Sequence, residues 1–182
     1  NYYKNYRSSG NVAMLFYKGL PSYFDCPLVT PVVGNLYQGG CQRGLTLKDD
    51  FGTVVSLYPW ERYEFAEGTQ LTEVTMFDSH DGVKFADLVL ASDAVLNGLA
   101  KGDKTLVHCQ AGLNRSGLVA GFTLMRQGYS AQEAIDLLRK SRSTFVLSND
   151  TFVKQLHDLQ HKFELDDQFH HDYHVGSVSN AI

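Results

Sequence analysis

Residues 108–117 read His108-Cys109-Gln110-Ala111-Gly112-Leu113-Asn114-Arg115-Ser116-Gly117. The stretch follows the short apolar run Thr105-Leu106-Val107 and leads into Leu118-Val119-Ala120-Gly121-Phe122-Thr123-Leu124-Met125. The order is therefore strand, tight loop, helix. Five residues separate Cys109 from Arg115, enough for the backbone to curl once around a tetrahedral anion. In such a curl the loop amides point inward and the helix start adds its positive dipole end. Arg115 supplies a planar, two-pronged donor. The same field that holds a phosphate dianion also favours a thiolate at its centre. A loop that grips phosphate around an ionisable sulfur is equipment for phosphoryl transfer.

Outward from the loop, β-branched and apolar runs predict strands near 35–38, 53–58, 71–76 and 104–108. Val54 to Leu57 and Leu106 to Val107 read as strands covered on both faces. A helical stripe of Phe85, Leu88, Val89, Val95, Leu96 and Leu99 spans 83–99. Ser130-x-x-Glu133 is a capping box opening a helix through Ala134, Ile135, Leu137 and Leu138. A last helix is expected over about 149–163, with Phe152, Leu156, Leu159 and Phe163 on one face. Strands alternating with helices point to an α/β sandwich.

The combination His-Cys-x5-Arg-Ser, with its strand and helix flanks, resembles the signature of the cysteine-dependent protein phosphatases. The surroundings are similar to the dual-specificity branch. The resemblance covers roughly residues 30–160. Val32-Val33-Gly34-Asn35-Leu36-Tyr37-Gln38-Gly39-Gly40 looks like that family's opening strand pair. Thr53-Val54-Val55-Ser56-Leu57 looks like a central strand, and Arg139 to Leu156 resembles the closing helices. The resemblance implies an α/β fold with a central mixed, mostly parallel sheet flanked by helices. It divides the chain into an aromatic arm over 1–28, a phosphatase domain over 29–163 and a polar tail over 164–182.

Roles follow from chemistry and resemblance together. Cys109 is the expected nucleophile, forming a phosphocysteine intermediate. Arg115 would hold two equatorial oxygens of the transferring phosphoryl group, a task for a planar fork. Gln110, Ala111, Gly112, Leu113 and Asn114 would offer backbone amides, with Gly112 the least costly site for a positive φ. By resemblance, Ser116 stabilises the thiolate and helps the sulfur leave; its place also suits a helix N-cap. His108 is expected to shape the loop through hydrogen bonds instead of transferring protons. The leaving group needs an acid, and Met76-Phe77-Asp78-Ser79-His80-Asp81-Gly82 lies where the family carries one. Asp78 is preferred, because Asp81-Gly82 sits where a helix N-cap is wanted. His80 reads as a loop residue near the entrance.

The expected activity is removal of phosphate from phosphotyrosine of proteins, with phosphoserine and phosphothreonine also admitted. The neutral loop interior, free of lysine, argues against inositol-lipid substrates. Gly112-Leu113-Asn114-Arg115 is similar to the loop of RNA 5′-triphosphatases of the same superfamily, which is the main rival. A formal charge of -4 and Gln110-Ala111 in place of that branch's Thr-His weigh against it. A catalytically dead phosphopeptide-binding module is the third reading, disfavoured because Cys109, Arg115, Ser116 and an aspartate are all present. No cofactor or metal is expected. His157, His161, His170, His171 and His174 match no zinc spacing and read as part of a solvated tail. No apolar run approaches the roughly 20 residues that span a bilayer. Three cysteines, with one set in a nucleophile motif, suggest a reducing, cytoplasmic setting. Under oxidation Cys41 is a candidate disulfide partner for Cys109, though nothing in the sequence places the two within reach.

Overall fold

The structure, a computed structural model, describes residues 15–17, 20–22, 26–42, 47 and 51–176. Leu15–Tyr17 (β1) and Leu20–Ser22 (β2) pair as an antiparallel hairpin. Most of the aromatic arm expected over 1–28 lies outside the described residues; Cys26 and Leu28 at its end are buried.

The body is a five-stranded sheet of Val29–Val33 (β3), Leu36–Gly39 (β4), Phe51–Ser56 (β5), Gln70–Glu73 (β6) and Lys104–His108 (β7), in the order β3-β4-β7-β5-β6. β3 and β4 form an antiparallel pair, while β4, β7, β5 and β6 run parallel. This is the mixed, mostly parallel sheet that the resemblance implies. Pro31 sits on the edge strand β3, where its missing N–H removes no interior ladder bond. Successive side chains on a strand face opposite ways. Val55 and Val107 enter the main core with Leu88, Val95, Phe122, Leu138 and Phe152; Val54 and Leu106 enter a second core with Leu28, Leu47, Phe51 and Tyr63. Covering on both faces explains why these two strands are apolar without alternation.

The helices are Phe85–Ala100 (α1), Arg115–Arg126 (α2), Ala131–Ser141 (α3), Asp150–Leu165 (α4) and Asp167–Tyr173 (α5). Every residue of α2 is buried; its run over 118–125 is apolar except for Thr123, whose hydroxyl donates to Val119 O at 2.8 Å. The Ser130 half of the capping box forms at α3, where Ser130 Oγ accepts from the Glu133 amide at 3.1 Å.

Two expectations change. Asp81 does not cap α1: the helix begins at Phe85 with Lys84 at its N-cap. Gly82 turns the chain at φ +79°, and Gln155 holds both the Val83 amide (3.2 Å) and its carbonyl (2.8 Å), which sets the helix start further along. The stretch after 163 is also not a solvated tail as far as residue 176. Asp166 caps α5 by accepting from the Phe169 amide at 3.0 Å. Phe169 is buried against Phe85, Phe163 and Tyr173. Arg126 clamps the end, its Nε donating to the Tyr173 carbonyl at 3.0 Å. Two aromatics one helical turn apart anchor a segment whose average composition is polar. Residues 177–182 lie outside the described residues.

Candidate active site

In a parallel sheet the crevice lies beyond the carboxyl ends of the strands. Here four parallel strands deliver chain to that one end. β4 leads into Gly39–Cys41, β7 into the 109–114 loop, β5 into Leu57–Trp60, and β6 into 74–78. Past the end of β6 the chain keeps to β5, with the Val74 amide on the Ser56 carbonyl (2.9 Å) and the Met76 amide on the Leu57 carbonyl (3.2 Å). That path brings Asp78 to the loop of the central strand β7.

The loop's carbonyls are held from outside, one after another. Gln110 O accepts from the Cys41 amide (2.9 Å), Ala111 O from Arg142 Nη2 (3.4 Å), and Gly112 O from Arg142 Nε (2.7 Å) and Gln38 Nε2 (3.2 Å). Leu113 O accepts from the Leu147 amide (3.1 Å), and Asn114 O from the Leu118 amide (2.8 Å). In a planar trans peptide the C=O and the following N–H point opposite ways. Carbonyls fixed outward therefore turn the amides of residues 111–115 toward the loop's interior, a nest for an anion. Gly112 makes the curl possible at φ +75°; a Cβ there would press into the backbone of Gly39 and Gly40 and the Arg142 guanidinium. Arg142 is buried and committed to this scaffold, also donating to Pro27 O (2.7 Å) and Thr30 Oγ1 (2.8 Å).

Cys109 is buried at the start of the loop, with its Sγ 3.4 Å from Ser116 Oγ. Gln38, fully buried on β4, donates from Nε2 to Ser116 Oγ at 3.1 Å. The same nitrogen faces the Gly112 carbonyl, which can only accept, so the amide orientation is determined. As a thiol the sulfur donates to Ser116 Oγ; with Gln38 also donating into that oxygen, the Ser116 proton is available to the sulfur when the sulfur carries none. Arg115 is 8% exposed; Nη1 donates to Met76 O at 3.3 Å and its guanidinium lies over the Tyr58 ring, 5.1 Å from the centroid. Arg115 Nε is a buried donor with no hydrogen-bond partner among the described residues.

Asp78 is gripped on both oxygens. Asn114 Nδ2 donates to Oδ2 (3.0 Å) and Asn149 Nδ2 to Oδ1 (2.9 Å). Asn149 Nδ2 also donates to Ser79 O (2.9 Å), and Thr151 Oγ1 to His80 O (3.1 Å), so the start of α4 fixes the whole segment. Asn114 is held in turn by the Asn149 amide on its Oδ1 at 2.9 Å. The structure thus brings Asp78 to the loop of Cys109 through one side chain. Asp81 is exposed, its own amide on Ser79 Oγ at 3.3 Å. His80 is exposed as well.

His108 Nδ1 lies 3.3 Å from the Cys109 carbonyl, an acceptor, so Nδ1 carries the proton. Burial lowers the imidazole from 6.5 to about 4, outweighing the opposite pull of that hydrogen bond. His108 is therefore neutral near pH 7 and holds shape instead of moving protons, with Tyr63 edge-on at 5.4 Å. The unfolded chain takes up a proton near 6.5 and the folded chain only near 4. The stability due to neutral His108 is complete above the first value and is lost as pH falls toward the second, a change on the order of 3 kcal/mol. Urea midpoints should fall over that window, and His108→Asn should flatten the slope; an equal slope in both chains would refute the assignment.

Sequence reasoning missed Gln38, Arg142, Asn149 and Gln155 as parts of this site. Gln38 alone left a signal, a polar residue inside a strand otherwise apolar on that face. Among the described residues no group of three or more His, Cys, Asp or Glu side chains is placed to hold a metal, and no helix is long and apolar enough to cross a membrane.

Comparison with known proteins gives a consistent picture. The family model "Dual specificity phosphatase, catalytic domain" matches residues 37–162. The protein named "Putative tyrosine phosphatase 123R" of Invertebrate iridescent virus 6 is 32% identical over 129 residues, covering 70% of this chain and 88% of the viral one. Among solved structures, a mouse "putative dual specificity phosphatase" complexed with zinc tungstate superposes with a TM-score of 0.68 at 22% identity, over 78% of this chain and 91% of that one. Human DUSP28 superposes at 0.66 and 22% identity, over 74% and 97%. Both are likenesses of fold.

Proposed function

The chain belongs to the dual specificity phosphatase catalytic-domain family, and on that premise we propose that it hydrolyses phosphotyrosine in proteins, admitting phosphoserine and phosphothreonine, through a phosphocysteine intermediate. One observation carries the reading: Asn114, inside the anion loop that starts at Cys109, holds Asp78 at 3.0 Å. Nucleophile and acid are thereby fixed relative to one phosphate position.

In the first step the Cys109 thiolate attacks phosphorus, a P–S bond forms, and the P–O bond to the leaving group breaks. Asp78 gives its proton to the departing oxygen. In the second, the Asp78 carboxylate takes a proton from water as that water attacks phosphorus, and the electron pair of the P–S bond returns to sulfur. The Ser116 hydroxyl donates to the sulfur as it leaves, held in that direction by Gln38. Arg115 and the inward amides carry the charge spread over the equatorial oxygens. A phosphate oxygen would satisfy the partnerless Nε of Arg115. Among the described residues Cys26, Cys41 and Cys109 form no disulfide, which suits a reducing cytoplasmic setting, to be checked by cell fractionation.

The direct test is phosphate release from a phosphotyrosine peptide, a phosphoserine peptide and a 5′-triphosphorylated RNA. Release is expected from the peptides; release from RNA alone would overturn the reading. On the phosphotyrosine peptide Asp78→Asn should lower kcat by roughly 10²–10⁴-fold, while Asp81→Asn stays within about twofold. Equal losses would remove Asp78 from its role. Gln38→Leu keeps the volume and frees the Ser116 hydroxyl to rotate. Hydrolysis of phosphocysteine should slow by about tenfold relative to its formation, seen as a larger burst over a lower steady rate. Proportional loss in both phases would make Gln38 merely structural.

A further inference from the structure

Three aromatic side chains form a continuous ledge beside the site. The Tyr58 ring carries the Arg115 guanidinium at 5.1 Å on one side and meets Trp60 at 5.0 Å on the other. Trp60 meets Phe77 at 5.8 Å. Trp60 is 50% exposed and Phe77 65%, a contiguous apolar surface where isolated exposed rings would be unremarked. The ledge spans the two catalytic elements, since Tyr58 touches the phosphate-gripping arginine and Phe77 immediately precedes Asp78. The proton donor sits on the leaving-group side of a phosphate, so the ledge borders the space that the leaving group occupies.

We propose that Trp60 and Phe77 are specificity-determining residues that receive the phenyl ring of phosphotyrosine, making this chain select aryl over alkyl phosphates. The inference rests on the proposed phosphatase reading and goes beyond it by naming the preferred substrate class and the residues that choose it. Rings pack edge-to-face or offset at centroid separations of about 4.5–7 Å, the spacing already present within the ledge. A phosphoserine has no ring to place there, and its shorter arm would draw the peptide backbone against the exposed rings. Charge disfavours a nucleobase as the occupant. Single-strand binders combine stacking rings with cations that track the phosphates. Here Arg62, two residues past Trp60, is already paired with Glu73 at 2.9 Å.

The test uses the full chain and one peptide sequence phosphorylated on tyrosine or on serine, with phenyl phosphate and glycerol 2-phosphate as a small-molecule pair. In Trp60→Ala and in Phe77→Ala the ratio of aryl to alkyl kcat/KM should fall by roughly tenfold, chiefly through KM, and Trp60→Phe should recover part of it. An unchanged ratio, or equal losses on both substrates, would overturn the assignment. A loss confined to 5′-triphosphorylated RNA would overturn it in favour of a nucleobase. If the unaltered chain turned over none of these substrates, the phosphatase reading itself would fall, and the ledge's role with it.

Discussion

The Cys109→Ser chain should release phosphate from a phosphotyrosine peptide at least about 10⁴-fold more slowly than the unaltered chain while still binding the peptide. The substitution removes the sulfur and leaves the rest standing. The carbonyls of residues 110–114 remain tied outward by Cys41, Arg142, Gln38, Leu147 and Leu118, so the amides still face the anion. A serine hydroxyl at this place has no base: among the described residues Ser116 is the one side chain in hydrogen-bond contact with the sulfur, and Gln38 already donates into it. Stopped assays and peptide titration by calorimetry separate the two effects. Turnover within tenfold of the unaltered rate would mean that another group attacks phosphorus.

Arg115→Lys should lower kcat by roughly 10³–10⁵-fold and weaken peptide binding as well, in contrast to Cys109→Ser. Arg115 uses its plane three ways: Nη1 on the Met76 carbonyl at 3.3 Å, the flat face over Tyr58, and Nε left for a further acceptor. A lysine ammonium cannot present two parallel donors to two phosphate oxygens, and at a position 8% exposed it would also be poorly solvated. Steady-state kinetics at saturating peptide measure the first effect, and binding to a Cys109→Ser background measures the second. Retention of a tenth of kcat would show that charge alone suffices and that the fork geometry is unimportant.

What the sequence made legible was local. Strand, loop and helix around residues 104–126 are adjacent in the chain, and the loop's need for glycine at 112 follows from the curl itself. The nearness of Asp78 to that loop was expected from the resemblance, because its segment follows a strand where the family carries its acid, and Asn114 meets it at 3.0 Å. The groups that hold these pieces together were not legible, since they act across long separations: Gln38 to Ser116 over 78 positions, Asn149 to Asp78 over 71, Gln155 to Val83 over 72. An asparagine or glutamine carries no periodicity and no spacing rule to mark it. Arg142, just past the end of α3, has no local pattern to mark it, because it is tertiary packing that buries it against the Gly112 carbonyl. The end of the chain misled for a different reason. Its histidines and aspartates dominate the composition, but Phe169 and Tyr173 decide where α5 docks.

The central claim is that phosphate passes through sulfur. The most direct measurement is a rapid-quench experiment on the Ser116→Ala chain, in which departure of the sulfur should be slowed, mixed with a peptide whose tyrosine phosphate is radiolabelled. Within the first turnover the label should appear on the peptide fragment containing Cys109, approach one phosphate per chain, and be missing when Cys109 is also serine. Release of labelled phosphate with no label held on the chain at any time, or label on a different residue, would contradict the account.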